Sequence, residues 1–422
     1  MTNKNPKRRG PSMARVLFVA LLFVTVGGGA YWYGLSQSPA SLSEADLESV
    51  EVYAEALAAV RGDYVDQGSI DPERQTYGAI EGMLGSLGDE GHTRFLTPEE
   101  REDNQAGLSG TYVGVGIQIE DREDRVVVSS PIEGSPAERA GVESGDVVVA
   151  VDGNDIAEED VSEIADMVRG PEGSEVRVTV RRGGDEMTFD LRRAEINSPS
   201  VYWETIPDSD TAHVRLASFS NDSAEELARI FAEARASGAE EFVLDLRDNP
   251  GGRLDQAVEM AGLFLEEGSV VYIRREADGE RSEVETSGEP EFPDAPMTVL
   301  VNEGSASSSE ILAGALRDNE RATMVGETTF GTGTVLSEFE LSDGSSILLG
   351  IAEWLTPGGD FIRETGIDPD IEVALGEDGE IVAPTDLAEL SQEEAFDRDP
   401  QLERAFEEAA RPADSLADTP RN

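Results

Sequence analysis

The chain has 422 residues but no cysteine, two histidines and two lysines. Without cysteine, the chain has no disulfide and no thiolate metal site. With His92 and His213 as the only histidines, we do not expect a zinc site. We expect no metal and no cofactor, since no Rossmann, P-loop or metal-ligand spacing occurs. Lys4 and Lys7 are the only lysines, so no lysine is available as a catalytic base in the rest of the chain.

Basic residues are scarce after the first 36 positions. Those positions hold five bases and no acid, which leaves 28 bases against 88 acids and a formal charge of −60 for the remainder. Phosphate repels such a surface, so we expect no nucleic-acid partner. An anionic membrane surface is disfavoured for the same reason. The composition indicates a solvated, salt-adapted surface.

One apolar run, Val16 to Leu35, is long enough to span a bilayer as a helix. Basic residues lie only before it, which predicts a cytoplasmic N-terminus. We therefore interpret residues 1–36 as a cytoplasmic tail and a single signal-anchor helix in the cell membrane. The bulk of the chain would then be extracytoplasmic. A cleaved signal peptide is the alternative.

The remaining sequence predicts an α+β protein with several segments. Helical spacing, alternating strands and a composition shift divide it. The predicted segments are a helical segment at 43–104, a strand-rich domain at 107–193, a mixed α/β core at 201–382 and an acidic C-terminal tail at 383–422. Within the tail, two short helical patches are predicted around Leu387 and Leu402–Ala409.

A cluster of serines follows a predicted buried strand, Met297 to Val301, and precedes a predicted helix, Ser309 to Arg317. A strand, a tight turn and a helix present a serine hydroxyl beside backbone N–H groups and a positive helix end. The pattern indicates a nucleophile, with several serines as candidates.

The run SASSSEI…VGETTFGTGTVL resembles the nucleophile segment of the C-terminal processing (tail-specific) serine peptidases. The resemblance implies that Ser307 is the nucleophile. It also places Thr332 where this family carries its general-base lysine, and Leu336 where an assisting glutamine is usual. A threonine hydroxyl does not deprotonate a serine near neutral pH. Either another base acts, or the chain is an inactive relative that binds peptides.

A histidine could supply the missing base. His92 lies in the stretch GDEGHTRFLTPEE, which is similar to a family segment, and the tricorn-type branch uses a histidine in a comparable stretch. The same branch uses a glutamate just before a segment like Gly366–Asp370, which implies Glu364. We expect a Ser307–His92–Glu364 relay. The alternatives are a structural loop histidine and a surface carboxylate, and Glu310 is expected to interact with the N-terminus of its own helix.

The stretch Arg247-Asp-Asn-Pro-Gly-Gly252 follows another predicted buried strand and is similar to the family's DLR.NPGG motif. A proline and two glycines form a tight turn with exposed N–H groups, which suits an oxyanion hole. We predict that Gly251 or Gly252 stabilises the oxyanion together with the N–H of Ser308.

Residues 107–193 resemble a PDZ domain through an ordered set of glycine-flanked strands and one helix. PDZ domains add an extended peptide to a sheet edge and hold its terminal carboxylate with backbone N–H groups. The binding loop would comprise Gly114, Val115, Gly116 and Ile117. The implied partners are protein or peptide substrates with free C-termini, although a purely structural PDZ domain is the alternative. The sequence leaves the oligomeric state open.

Overall fold

The structure is a computed structural model that describes residues 43–89, 92–121, 125–132, 134–156, 161–376 and 379–410. It divides into two compact units, one up to Ala79 and one from Ile80 onward. The predicted signal-anchor at 16–35 lies outside the described residues. Within the described ranges, no helix is long and apolar enough to cross a membrane.

The first unit contains helix α1 (Glu44–Asp63), a 3₁₀ turn (Gln67–Ser69) and the start of helix α2 (Pro72–Gly85). Helix α1 begins at a capping box in which Ser43 and Asp46 satisfy each other's backbone N–H groups. The predicted helical character of this segment is therefore present from its first described residues.

The second unit starts with three elements that precede a strand-rich domain: β1 (Arg94–Leu96), α3 (Pro98–Ser109) and β2 (Thr111–Gly114). The domain's main sheet has the order β3-β4-β5-β7-β8, with β6 beside β5. Val176, Val178 and Val180 alternate as buried residues along β7, as the alternating sequence requires. The elements are β3 (Ile117–Asp121), β4 (Val126–Pro131), α4 (Pro136–Ala140), β5 (Val147–Val151), β6 (Asn154–Asp155), α5 (Val161–Val168), β7 (Glu175–Arg182), β8 (Asp185–Arg192) and β9 (Ala194–Asn197), which pairs with β2.

The core sheet has six strands in the order β10-β11-β12-β15-β16-β19. Strand β10 is antiparallel to β11, and the other pairs are parallel. The mixed α/β architecture expected for this region is confirmed. Its elements are β10 (Val201–Thr205), β11 (Thr211–Leu216), α6 (Ser223–Ala236), β12 (Glu241–Asp245), α7 (Leu254–Phe264), β15 (Met297–Val301), α8 (Ser308–Asp318), β16 (Thr323–Gly326) and β19 (Ile371–Glu372).

The two faces of the core sheet are covered by different parts of the chain. Helices α6, α7 and α8 pack on one face, where Phe242 and Leu244 point. Val243, on the other face, packs against the C-terminal segment. That segment contains a 3₁₀ turn (Pro384–Ala388), α9 (Gln392–Arg398) and α10 (Pro400–Ala409), so both predicted helical patches are present, with Leu387 and Leu402 buried.

A second sheet lies beside the core and holds β1 and β17 against the same long strand. Its order is β1-β18-β13-β14, and β17 also pairs with β18. The strands are β13 (Val270–Arg275), β14 (Arg281–Glu285), β17 (Thr334–Glu340) and β18 (Ser346–Leu355). Because β1 begins shortly after His92, the pairing of β1 with β18 fixes the position of His92 relative to this sheet.

A buried ionic network ties the end of β12 to the C-terminal helices. Arg247, with no exposed side-chain surface, bonds to Asp245 at 2.7 Å and to Asp399 at 2.9 Å. Burial by itself would raise the pKa of Asp245, but the charge of Arg247 and hydrogen bonds from His213 and Arg247 hold that pKa below its ordinary range. His213 is therefore a packed core residue, bonded to Asp245 at 3.0 Å.

The fold brings three segments to one edge of the core sheet. Strands β12, β15 and β16 are parallel neighbours, so their carboxyl ends meet. The 247–252 turn follows β12, the serine cluster follows β15, and the 327–332 loop follows β16. In open parallel sheets, this edge is where ligands bind.

Candidate active site

Ser307 lies at the corner between β15 and α8 with φ 56° and ψ −115°. A non-glycine residue at positive φ is strained, and such strain persists only where neighbouring contacts enforce it. The N–H of Ser307 donates to Glu310 Oε2 at 2.9 Å and to Thr332 Oγ1 at 3.1 Å. The side chain is partly exposed, and its hydroxyl makes no hydrogen bond to a described residue. The corner therefore presents an accessible hydroxyl on a fixed backbone.

Glu310 enforces this conformation from a fully buried position. Its carboxylate accepts four hydrogen bonds, from the N–H groups of Ser307, Gly331 and Thr332 and from the Thr329 hydroxyl. These contacts lie between 2.6 and 2.9 Å. Glu310 thus joins the serine corner to the 329–332 loop, a role well beyond the helix N-terminal interaction expected from the sequence. The sequence signal for it was a carboxylate three residues after the cap position.

The 247–252 turn packs directly against the serine corner. A Cβ atom on Gly251 would lie 2.9 Å from Ser307 Cβ and 2.8 Å from the Ala306 carbonyl oxygen, and Gly251 has φ 96°. Asn249 supports the turn, since its carbonyl accepts from the Ala306 N–H at 3.0 Å and from Ser309 Oγ at 2.9 Å. Any side chain at 251 would displace the corner.

The two glycines of this turn differ in whether the backbone N–H group is already hydrogen-bonded. The N–H of Gly251 donates to Asn249 Oδ1 at 2.9 Å. The N–H groups of Gly252 and Ser308 have no acceptor among the described residues. Of the two alternatives left open by the sequence, Gly252 is therefore the glycine with a donor to offer a ligand, beside that of Ser308.

His92 is buried, and its Nδ1 lies 3.2 Å from Thr334 Oγ1. Its ring centroid is 6.1 Å from that of Phe330. If Nδ1 carries the proton and donates to Thr334, Nε2 is left as the proton acceptor. No hydrogen bond joins His92 to Ser307 in the described part of the chain. Instead both residues contact the same short segment: His92 through Thr334, and Ser307 through Thr332.

An ion pair holds the His92 loop, and sequence reasoning missed it. Asp89 Oδ1 accepts from Arg363 Nη2 at 2.6 Å, and Asp89 Oδ2 accepts from Thr93 Oγ1 at 2.5 Å. A Cβ atom on Gly333 would lie 2.8 Å from Arg363 Cβ. Arg363 therefore also packs against Gly333, the residue between Thr332 and Thr334. Arg363 thus connects the histidine loop to the segment that contacts Ser307.

Glu364 lies outside these contacts. Its side chain is exposed and makes no hydrogen bond or ion pair with a described residue, while its N–H donates to the Gly331 carbonyl at 2.9 Å. The predicted role of Glu364 as the third relay member stays a prediction. In this structure, Thr334 is the residue that contacts His92 Nδ1.

Three residues of the predicted peptide-binding loop, Val115, Gly116 and Ile117, line a cavity of about 60 Å³ against helix α5. Val115 is fully buried, and Val168 of α5 lines the same cavity. Gly116, at φ 77°, packs so tightly on Ser135 that a side chain would clash. The N–H groups of Val115 and Gly116 have no acceptor among the described residues. An apolar groove with adjacent backbone donors suits a peptide terminus.

A serine on a strained corner, with two unoccupied backbone N–H groups beside it, is an arrangement suited to nucleophilic attack on a carbonyl. A family model for peptidase family S41 matches residues 210–373, and a PDZ domain model matches residues 127–182. The chain is 34% identical over 359 residues to a probable CtpA-like serine protease of Staphylococcus aureus strain COL, covering 85% of this chain and 71% of that protein. The counterpart from Staphylococcus haemolyticus strain JCSC1435 is 32% identical over 375 residues, covering 88% and 74%.

Among solved structures, the photosystem II D1 C-terminal processing protease is 31% identical, with 77% of this chain and 92% of that chain covered and a TM-score of 0.46. The chain belongs to the CtpA-like C-terminal processing serine peptidases of family S41. The resemblance predicted from the sequence is confirmed, as is the PDZ domain. Members of the family are hydrolases, and a peptidase with a PDZ domain has protein or peptide substrates.

Proposed function

We propose that the chain is an active serine endopeptidase in which Ser307 attacks the scissile carbonyl. The observation that carries the proposal is the strained Ser307 corner, with its side chain partly exposed beside the unoccupied N–H groups of Gly252 and Ser308. Those two donors would stabilise the oxyanion. His92, through Nε2, would take the hydroxyl proton in place of the family's lysine, whose position is Thr332.

The proposed base requires the His92 ring to reach the Ser307 hydroxyl when substrate binds. Catalytic hydrogen bonds are often long or absent without substrate and tighten in the complex. The buried position of His92 and its contact with Thr334, two residues from Thr332, support this assignment. Glu364 remains the proposed third member of the relay, although its carboxylate would have to move toward His92.

A fluorophosphonate probe tests the proposal, because it labels only an activated serine. Wild-type protein should be labelled and should hydrolyse peptides, whereas Ser307→Ala should lose both, with a rate loss on the order of 10⁶. Ser309→Ala is the matched control and should keep at least part of both, since its hydroxyl is buried and bonded to the Asn249 carbonyl. Labelling that persists in Ser307→Ala would place the nucleophile elsewhere.

A non-catalytic peptide-binding protein is the second candidate. The observation in its favour is that the chain has no lysine after Lys7, while His92 bonds to Thr334 and not to Ser307. Absence of probe labelling in the wild-type protein, combined with retained peptide binding, would support this candidate. The double variant Thr332→Lys with Leu336→Gln should then introduce activity if only the base is missing.

The PDZ domain would select substrates by an apolar C-terminal residue and a free carboxylate. The apolar groove at Val115 and Ile117 and the unoccupied N–H groups of Val115 and Gly116 support this. Binding of a peptide and of its C-terminally amidated form to Ser307→Ala protein tests it. The amidated peptide should bind more weakly, because the loop donors lose a charged acceptor. Equal binding would favour a structural PDZ domain.

We further propose that residues 16–35 anchor the protein in the membrane with the peptidase outside the cytoplasm. The apolar run and the basic residues before it support this topology. Protease treatment of intact cells should digest a C-terminal tag, and a chain that starts at residue 37 should lose membrane association. A tag that is protected in intact cells and accessible only after lysis would contradict the topology.

A further inference from the structure

The larger cavity of the PDZ domain is separate from its peptide groove. It has a volume of about 510 Å³ and lies between α4, the turn at Gly173 and the β8–β9 junction. None of the residues that line it also lines the peptide groove. Three arginines line it, Arg139, Arg192 and Arg193, together with one carboxylate, Glu172. We call this site the arginine cavity.

The charge of the arginine cavity is opposite in sign to the net charge of the whole chain. The protein has 88 acidic residues against 33 basic ones, and most of its arginines in the described ranges bond to a carboxylate. Arg182 in the same domain, for example, contacts both Asp146 and Glu143. By contrast, none of the three cavity arginines forms an ion pair with a described residue. Three arginines without an ion pair to a described residue, against one lining carboxylate, therefore make the cavity locally positive.

Arg193 forms the buried floor of the arginine cavity, with 8% of its surface exposed. Its guanidinium donates to the carbonyls of Val168 at 2.8 Å, Met167 at 3.0 Å and Glu175 at 3.0 Å, and to Ser174 Oγ at 3.0 Å. These acceptors are neutral, so they hold the guanidinium in place without cancelling its formal charge. The carbonyls of Met167 and Val168 end helix α5, so the negative end of that helix only partly offsets the charge of Arg193.

Arg192 and Arg139 form the exposed wall of the cavity. Arg192 Nε donates to the Gly173 carbonyl at 3.0 Å, and Arg139 Nη1 donates to the Gly134 carbonyl at 2.5 Å. Each guanidinium is thus fixed through one N–H and keeps others for a ligand. Gly173 has φ 78°, and a Cβ there would lie 3.3 Å from Arg192 Nη2. The glycine leaves room for the guanidinium at the rim.

We propose that the arginine cavity binds an anion carrying carboxylate or phosphate groups. The planar guanidinium matches both groups with two parallel N–H donors. The net negative charge of the chain repels anions elsewhere, so the cavity would be a selective site. Arg193 also bonds to the last two carbonyls of α5, and Val168 lines the peptide groove. A ligand bound to Arg193 would therefore be connected, through the carbonyls of Met167 and Val168, to the end of α5 that forms one wall of the peptide groove.

Isothermal titration of the full chain with inorganic phosphate, and separately with citrate, tests the proposal. Binding is measured at low ionic strength with chloride as the reference salt. Thermal stabilisation is not a suitable readout, because both anions stabilise proteins by exclusion from their surfaces. Binding of citrate alone would identify a carboxylate site, and binding of phosphate alone would identify a phosphate site.

Arg192→Gln and Arg139→Gln should each weaken binding about tenfold, the cost of one charge-assisted hydrogen bond. Glu172→Gln should strengthen binding severalfold, because it removes a like charge from the rim. Arg181→Gln is the matched control, since Arg181 is exposed on β7 of the same domain and pairs with Glu186. It should leave affinity within about twofold.

Several outcomes would overturn the proposal. The first is no binding of either anion. A second is an equal loss of affinity in Arg181→Gln, which would reveal only a general charge effect. A third is unchanged binding in the Arg192→Gln and Arg139→Gln double variant, which would place the anion elsewhere. Arg193 is not used as a test position, because its loss would leave several carbonyls unsatisfied and threaten the fold.

Discussion

The two sides of the candidate site are built very differently. On the nucleophile side, Ser307 is held by fully buried Glu310, whose carboxylate accepts four hydrogen bonds from three residues of one loop and from Ser307 itself. On the histidine side, His92 makes one described hydrogen bond, to Thr334, and its loop is tied down by a partly exposed ion pair. Buried contacts thus fix the serine. The position of the histidine depends on one hydrogen bond and one partly exposed ion pair, which are weaker constraints.

This difference indicates where the site can adapt. A strained corner needs buried, charge-assisted contacts to persist. If His92 is the base, its approach to Ser307 on substrate binding would need such a less rigid attachment. Substitutions on the two sides should therefore differ in kind: those around Glu310 should affect folding and activity together, and those around His92 should affect turnover alone.

Among substitutions at the candidate site, the largest effect is expected for Glu310→Gln. The amide would turn a donor toward N–H groups that now bond to a carboxylate, which should lower the free energy of unfolding by about 2–4 kcal/mol and abolish measurable hydrolysis. Chemical denaturation and peptide turnover measure the two quantities. Glu303→Gln, at an exposed position in the turn between β15 and α8, is the control and should change neither. Wild-type stability in Glu310→Gln would show that the carboxylate is not what holds the corner.

His92→Ala should lower kcat by a factor on the order of 10³ or more while leaving stability almost unchanged. Steady-state peptide turnover measures kcat, and chemical denaturation measures stability. A wild-type rate in His92→Ala would reject the relay.

Asp89→Asn should have a smaller effect, lowering kcat about tenfold with little change in KM, because the ion pair positions His92 without touching substrate. Arg363→Gln should have the same effect, and the double variant should be no worse than either single variant. Steady-state kinetics of the three proteins test this coupling. Arg398→Gln, which disrupts an exposed pair with Glu380, provides the control. Additive losses would mean that the two residues act separately.

The smallest effects distinguish two candidates for the group that orients His92. Thr334→Val removes the hydroxyl at 3.2 Å from Nδ1 and should lower kcat several-fold, the cost of about one neutral hydrogen bond. Glu364→Gln should be nearly silent if its exposed carboxylate stays away from His92. A larger loss for Glu364→Gln than for Thr334→Val would instead support the predicted relay and require Glu364 to move on substrate binding.

The buried network at Asp245 should make the stability of the fold fall at acid pH. Since the pKa of Asp245 is held below its ordinary value, its contribution to stability is complete above about pH 4, where the unfolded carboxyl ionises, and is lost as the pH falls further. Asp245→Asn should lower the free energy of unfolding by about 3–5 kcal/mol at neutral pH. The difference from wild type should shrink below pH 4 in denaturation measurements, and a constant difference would contradict this origin.

The sequence by itself determined the chemistry available to this protein. The absence of cysteine and of lysine beyond Lys7 excluded disulfides, thiolate metal sites and a lysine base, whatever the fold. The order of the DNPGG and SASSSEI segments identified the family, and local patterns placed β15 and α8 close to their observed bounds. These features are encoded locally, by turn residues and by hydrophobic periodicity.

Only the tertiary structure decided how those groups meet. Gly251 and Gly252 are equivalent in the sequence, yet the Asn249 side chain occupies one N–H and leaves the other unbonded. Glu310 looks like an ordinary helix-cap residue until the 329–332 loop closes over it, and Asp89 meets Arg363 across 274 positions of sequence. Such contacts depend on which strands are neighbours in the sheet, and that is a long-range property that local pattern does not carry.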